Sequence, residues 1–209
     1  MRKIISYFLL FGLIGIANAN NEDRSYVQAG IAMISVDYGL STTDGVTLDD
    51  EDTAPMVIIG YKLNDNLALE GGMIGSAETS ASVSGSGTST YRGETLTWSA
   101  SATATAESDT SWMFGAAYHN QVNNDLNITA RAGLLFWDVD YKVNVSATYN
   151  GASVSAGGLL ASADGNDPYF GVGADYKLTD NIVLDLSYLT TEIDNEDTSA
   201  LTLGIKHKF

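Results

Sequence analysis

"YKLTDNIVLD" (residues 176–185) and "YKLNDNLALE" (residues 61–70) are nearly the same ten letters, set more than a hundred residues apart. Each places an aromatic and a lysine before a short polar turn. Each then alternates apolar and small residues up to a carboxylate. Alternation with a period of two is the signature of a strand with unlike faces. Asn and Asp in the turn tolerate unusual backbone angles and bond their own main chain. Both stretches therefore read as β-hairpins, and a looser third copy, "YHNQVNNDLNITARAG", runs from Tyr118 past Arg131.

Three short turns imply six strands, at about residues 54–63, 67–76, 111–121, 126–138, 168–178 and 182–190. "YVQAGIAMISVDY" (26–38) and "SALTLGIKHKF" (199–209) flank them and bring the number to eight. Alternating stretches of about ten residues match tilted strands crossing a bilayer. Between the short turns lie long links, about 39–53, 77–110, 139–167 and 191–198. Short turns at one end and long loops at the other predict an all-β fold: an eight-stranded antiparallel up-and-down transmembrane β-barrel with long extracellular loops. The two longest links leave two readings open. "LTWSASATATA" and "YKVNVSATYNGASVSAGG" alternate like strands, and Asn150–Gly151 is a hairpin turn signal, whereas "SASVSGSGTST" reads equally as flexible linker.

The N-terminus has a different character. Arg2 and Lys3 precede the apolar run "IISYFLLFGLIGI", and "ANA" (Ala17–Ala19) supplies small residues for cleavage. Residues 1–19 read as a secretory signal peptide, leaving residues 20–209 as the barrel domain. Losing them takes the formal charge from −16 to −18, because two positive charges leave and no negative one does. Such acidity argues against nucleic acid as a partner, which needs a basic face. There is no cysteine, so an exported chain here forms no disulfide.

A soluble eight-stranded barrel also alternates, with its apolar face inward. The content of the two faces decides between them. One carries Val57, Ile59, Leu67, Leu69, Trp112, Phe114, Ile128, Leu134, Phe136, Phe170, Val172, Leu184, Leu186, Leu203 and Ile205, with no charge among them. The other mixes glycines (Gly60, Gly72, Gly115, Gly133, Gly171, Gly173, Gly204) with Lys62, Glu70, Arg131, Asp175, Lys177, Asp185, Lys206 and Lys208. Small residues beside charges suit a narrow lumen, and a lysine or arginine facing lipid at mid-membrane would cost about 2–4 kcal/mol. Tyr61, Tyr118, Tyr176 and Phe209 fall beside the short turns or at the terminus, where an interfacial girdle belongs.

The stretches "ITARAGLLFW" (128–137), "GVGADYKLTDNIVLDLSY" (171–188) and the ending "LTLGIKHKF" resemble the small outer-membrane β-barrel family of Gram-negative bacteria, which includes the OmpA transmembrane domain, OmpX, Ail and the opacity proteins. The resemblance covers essentially the whole chain after residue 19. It implies residence in the bacterial outer membrane, as a monomer among lipid and lipopolysaccharide, and no cofactor. It also implies that the terminal Phe209 belongs to the signal read by the barrel-assembly machinery. Glu70, Arg131 and Asp175 match inward positions that form a charge cluster in the OmpA barrel. At Asp185 the family pattern favours a basic residue, so Lys62, Lys206 and Lys208 are candidates to complete the network.

Three functions compete. Hydrolysis would need a base beside a nucleophile or water. His119 and His207 both lie near the short-turn rim, and Gln121 stands where a lipid A deacylase of this type has its serine. A catalytic dyad is therefore not expected, and no metal or catalytic residue is assigned. A small or gated porin-like channel is the alternative, although side chains fill the interior of an eight-stranded barrel. The remaining signal is loop acidity. "DDED" (Asp49, Asp50, Glu51 and Asp52) and "TEIDNED" (191–197) stand in links whose only basic residues are Arg92 and Lys142. The function expected is a structural or cell-surface interaction role, for adhesion or envelope integrity. Acidic loops would carry it by meeting divalent cations or a basic host or surface ligand.

Overall fold

The computed structural model describes residues 24–39 and 46–209; the expected signal peptide, residues 1–19, lies outside them. Eleven strands form one antiparallel sheet: β1 (Ser25–Asp37), β2 (Val46–Asp49), β3 (Glu51–Lys62), β4 (Leu67–Ile74), β5 (Ala77–Tyr91), β6 (Glu94–Ser108), β7 (Ser111–Gln121), β8 (Leu126–Tyr149), β9 (Ala152–Lys177), β10 (Ile182–Ile193) and β11 (Glu196–Lys208). Eight of them close on themselves. β1, β3, β4, β7, β8, β9, β10 and β11 each pair with the next, and β11 returns to β1 from Tyr26↔Lys208 to Asp37↔Asp197. Closure leaves no edge within the membrane, the condition for backbone polar groups to be satisfied in lipid.

The three short turns share one device. Asn64 Oδ1 accepts the N–H groups of Asn66 and Leu67, both at 2.9 Å. Asn123 Oδ1 accepts those of Asp125 and Leu126 at 2.9 and 3.0 Å. Thr179 Oγ1 accepts the N–H of Ile182 at 3.0 Å. A side-chain oxygen thus replaces the missing strand partner at each corner. Backbone bonds then tie this rim together, including Lys62 N to Arg24 O, His119 N to Asn66 O and Lys208 N to Asn181 O.

At the opposite end the two readings left open for the longest links resolve to strand. β8 and β9 do not stop near residues 138 and 168; they continue as one ribbon to a two-residue turn at Asn150–Gly151. β5 and β6 form a hairpin turning at Arg92–Gly93, and the link placed at 191–198 shrinks to Asp194–Asn195. All three turns have positive φ at both central residues. That twist matches the flanking strands of a two-residue hairpin, which the mirror-image turns would splay. β6 pairs with the upper part of β8, and β2 pairs with β5. A smaller extension of the same sheet therefore rises from one side of the barrel. β8 has 24 residues and β9 has 26. A bilayer takes about 9–11, so the surplus, at about 3.3 Å per residue, carries the ribbon tip roughly 40 Å farther.

Side chains partition by parity. Leu69, Phe114, Ile128, Leu134, Phe136, Phe170, Val172, Leu186, Leu203 and Ile205 are all exposed on the outer wall. The lumen is filled, ionic near the short turns and apolar above.

Candidate functional site

The lumen plug is built along one register row. Reading across neighbouring strands, it runs Tyr26, Gly60, Glu70, Gly115, Gly133, Tyr169. The glycines are the reason two tyrosines fit inside so narrow a ring. A Cβ on Gly60 would overlap the Tyr26 phenol, and one on Gly115 would come within 2.6 Å of the Tyr169 hydroxyl. Tyr26 lies over Gly60 and donates to Glu70 Oε1 at 2.5 Å.

Arg131 holds the centre. Its Nε donates to Glu70 Oε2 at 3.0 Å, its Nη2 to Asp185 Oδ2 at 2.8 Å and its Nη1 to Ser187 Oγ at 2.5 Å. Glu70 and Asp185 are the carboxylates that end the two repeated ten-residue stretches. The repeat thus delivers one acid from each of two corners to a single guanidinium. Asp185 also accepts from Gln28 Nε2 and Ser187 Oγ, each at 3.0 Å. Asp175 accepts from Lys206 Nζ on both oxygens, at 3.0 and 2.9 Å, and from Thr129 Oγ1 at 3.3 Å, and Lys206 stands 3.7 Å from Asp185. Lys206 further faces the Tyr26 ring, 4.9 Å from its centroid. Asp185 is fully buried and Lys206 is 2 % exposed.

Charges so deep are tolerated because each is paired and hydrogen-bonded, and removing one partner strands the other. The cluster holds three carboxylates against Arg131 and Lys206. His119 is the remaining group able to carry positive charge, with Nδ1 3.3 Å from Asp175 Oδ2 and 3.0 Å from Thr129 Oγ1.

The structure brings Glu70, Arg131, Asp175, Asp185 and Lys206 together, and leaves out Lys62 and Lys208. Those two sit half-exposed at the last residues of β3 and β11, where they face the short-turn mouth. Water solvates an ammonium there, and each is one strand end short of the buried acids. Lys177, at the same rim, bridges to Asp180 at 2.6 Å. This lysine holds the Asp180 carboxyl below its ordinary range. Phe209 is exposed; its N–H donates to Ser25 O at 3.0 Å, and its ring meets His207 edge-on at 4.7 Å. Tyr26, Gln28, Ser187 and His119 complete the plug without having been assigned to it from sequence.

The acidic end is built differently. Asp49 closes β2, Asp50 O accepts the Val36 N–H, and Glu51 opens β3. Asp52 is part of the frame: its oxygens accept the N–H groups of Thr53 and Glu78, both at 2.7 Å. A second acidic surface lies where the rising sheet leaves the barrel. Glu78, Glu107, Asp109, Asp138, Asp140 and Asp164 line a cleft of about 580 Å³. Lys142 pairs with Glu107 beside it. Among the described residues no three of His, Cys, Asp and Glu stand close enough to hold one metal ion.

A closed ring of eight strands, apolar outside and plugged by ion pairs within, defines a membrane-spanning β-barrel. The chain belongs to the outer membrane protein beta-barrel domain family, whose model matches residues 6–209. No curated protein matches it in sequence. Among solved structures it is similar to the outer membrane protein OprG of Pseudomonas aeruginosa, at 13% identity and a TM-score of 0.55, over 90% of this chain and 97% of that one. It is also similar to Ail, the attachment invasion locus protein of Yersinia pestis, at 17% identity and a TM-score of 0.47, over 90% of this chain and 100% of that one.

Proposed function

We propose that this outer-membrane barrel is a surface-interaction scaffold whose acidic extracellular end meets a basic partner. The observation that carries the reading is the cleft lined by six carboxylates on the rising sheet, where Lys142 is paired with Glu107. Loops on a rigid support commonly carry binding, and here the support extends into the sheet itself. The absence of a three-ligand cluster among the described residues favours a diffuse basic surface over a coordinated divalent cation. Within this reading, residues 1–19 direct export and are removed. The assembly machinery engages the C-terminal strand at Phe209, and the monomer stands among lipopolysaccharide. This reading gives the histidines a structural part: His119 meets Thr129 and Asp175 in the plug, and His207 faces Phe209.

The test is binding of a cationic peptide such as oligolysine to the protein in lipid nanodiscs. Exposed charges are screened over about 8 Å at physiological salt, so affinity should fall as salt rises. Neutralising Glu107, Asp140 and Asp164 together should weaken binding more than neutralising Asp49, Asp50 and Glu51, with the barrel still folded. Equal binding by both variants and the parent would sink the proposal. A lipid-hydrolysing activity lost on replacing His119 would replace it with an enzyme.

A further inference from the structure

The sheet that rises from the barrel has two unlike faces. In 81–87 of β5, 98–104 of β6, 143–149 of β8 and 152–158 of β9, the first residue and every second one after it share a face across the four paired strands. Every residue on that face is Ala, Val, Gly, Trp or Tyr, and Val46 and Leu48 of β2 continue it beside Val83 and Ala81. The residues between them are Ser, Thr or Asn, save Gly157. These bond one another: Ser101 Oγ lies 2.8 Å from Ser146 Oγ, and Thr148 Oγ1 lies 2.8 Å from Ser153 Oγ. Glu107 and Asp140 of the acidic cleft stand on this second, hydrated side.

A sheet with one apolar face is completed by whatever buries that face. Nothing among the described residues does so: Val83, Trp98, Val145, Tyr149 and Val154 are 44–72 % exposed. A continuous apolar area of this kind marks an interaction surface. Trp98 is fixed in place on it. Its indole lies along β5, and a Cβ on Gly87 would come within 2.8 Å of Nε1.

Charge and shape choose the occupant. The chain has 26 acidic residues against 10 basic ones, so two copies repel each other, yet no position on this face is charged. Two such faces can pack as sheets do in a sandwich, about 10 Å apart with side chains interleaved. Trp98 and Tyr149 are paired at the distal end, while Ala81, Ala104 and Gly158 lie at the proximal end. Distal end on distal end would set bulk against bulk. Distal end on proximal end sets each bulky row over a small one. Upright copies in one membrane meet distal end to distal end, so the arrangement that fits joins copies in two facing membranes. Four strands by four rows cover about 500 Å² a side, and the total of about 1,000 Å² is the lower limit for a specific contact.

We propose that this face joins two copies of the protein on facing outer membranes. The end of each that bears Trp98 and Tyr149 lies over the end of the other that bears Ala81 and Ala104. The contact uses the face opposite the acidic cleft and does not depend on that cleft taking a basic partner.

The experiment uses the whole barrel in lipid vesicles, with clumping followed by light scattering. Single contacts of this size are weak, but many per vesicle add up. Loaded vesicles should clump, and added salt should preserve or increase the clumping because it screens the repulsion, whereas binding at the acidic cleft falls with salt. Val145→Glu, near the centre of the face, should abolish clumping. Ser146→Glu, its neighbour on the hydrated side, should leave it intact. Mixing Val145→Glu vesicles with Val145→Lys vesicles should restore clumping, which misfolded barrels could not do. The chain has no cysteine, so a short bis-maleimide reads the orientation: Tyr149→Cys vesicles should link to Val143→Cys vesicles and not to one another. Vesicles that stay dispersed at high protein density would overturn the proposal. So would clumping that salt dissolves, that survives Val145→Glu, that Ser146→Glu removes equally, or that links Tyr149→Cys to itself.

Discussion

Tyr26 passes over the bare Cα of Gly60 and donates to Glu70 on the far side at 2.5 Å. The glycine is what lets a ring from one strand reach a carboxylate two strands away. A methyl at Gly60 must displace the phenol and break that bond, whereas at Gly85 the nearest atoms of Trp98 are 3.7 Å away, ordinary contact. Gly60→Ala should therefore lower the urea midpoint of unfolding from lipid vesicles well below that of Gly85→Ala. Tyr26→Phe should cost about 1.5–3 kcal/mol, as for a hydrogen bond to a charged group. Equal midpoints for the two alanine variants would show that the ring is not held over Gly60.

Arg131 is the shared donor of two carboxylates, so its loss should be felt twice. Arg131→Leu is expected to cost about 3–5 kcal/mol, the range for stranding a buried charge. Arg92→Leu, at the exposed β5–β6 turn, should cost almost nothing. A double-mutant cycle of Arg131→Leu with Glu70→Gln should show strong coupling, because the second change removes the acid left unpaired. Additive costs in that cycle would mean the two side chains do not share a bond.

The short turns make a sharper local prediction. Asn64 and Asn123 each accept two backbone N–H groups. Replacing either with alanine should cost about 1 kcal/mol per lost bond, while Asp65→Ala beside Asn64 should be neutral. Refolding titrations of the three variants would separate them. A costly Asp65→Ala with a neutral Asn64→Ala would assign the turn to the wrong oxygen.

Topology can be read with trypsin on intact cells. Arg92 sits in an exposed turn at the distal end, whereas Lys62, Lys177 and Lys208 share the short-turn rim. Cleavage after Arg92 is expected on unlysed cells, with the three rim lysines cut only after the envelope is opened. A fragment ending at Lys177 from intact cells would invert the barrel.

The barrel was legible because its membrane half has two contrasting environments. Leu69 faces lipid and Glu70 faces the lumen, so adjacent letters differ in kind and the period of two is plain. That contrast fades above the membrane. Towards the tips of β5 and β6 both faces meet water. "LTWSASATATA" still alternates like a strand, but "SASVSGSGTST" offers mostly small residues to either side, and nothing in it separates strand from linker. The plug was only partly legible for a related reason. Gln28, Ser187 and Thr129 are small or neutral, and such residues look alike whether they face a carboxylate or solvent. The apolar upper lumen was hidden by the same parity rule that exposed the barrel. Met113, Leu135 and Trp137 point inward, where glycine and charge were expected, because an apolar cluster fills the ring there without ions.

The closing pair of strands has a bearing on how the chain reaches this state. Every other contact in the ring joins neighbours along the chain, and only β1 with β11 joins its two ends. Lys206 rides on β11 and supplies both of the cation contacts to Asp175 on β9. Tyr26 and Gln28 ride on β1, across that seam. Lys206 meets the Tyr26 ring and Gln28 donates to Asp185 on β10 only when the two ends of the chain are side by side. A ring still open at β1 and β11 is therefore electrically incomplete as well. Closing the seam also finishes the plug, so the seam is the latch.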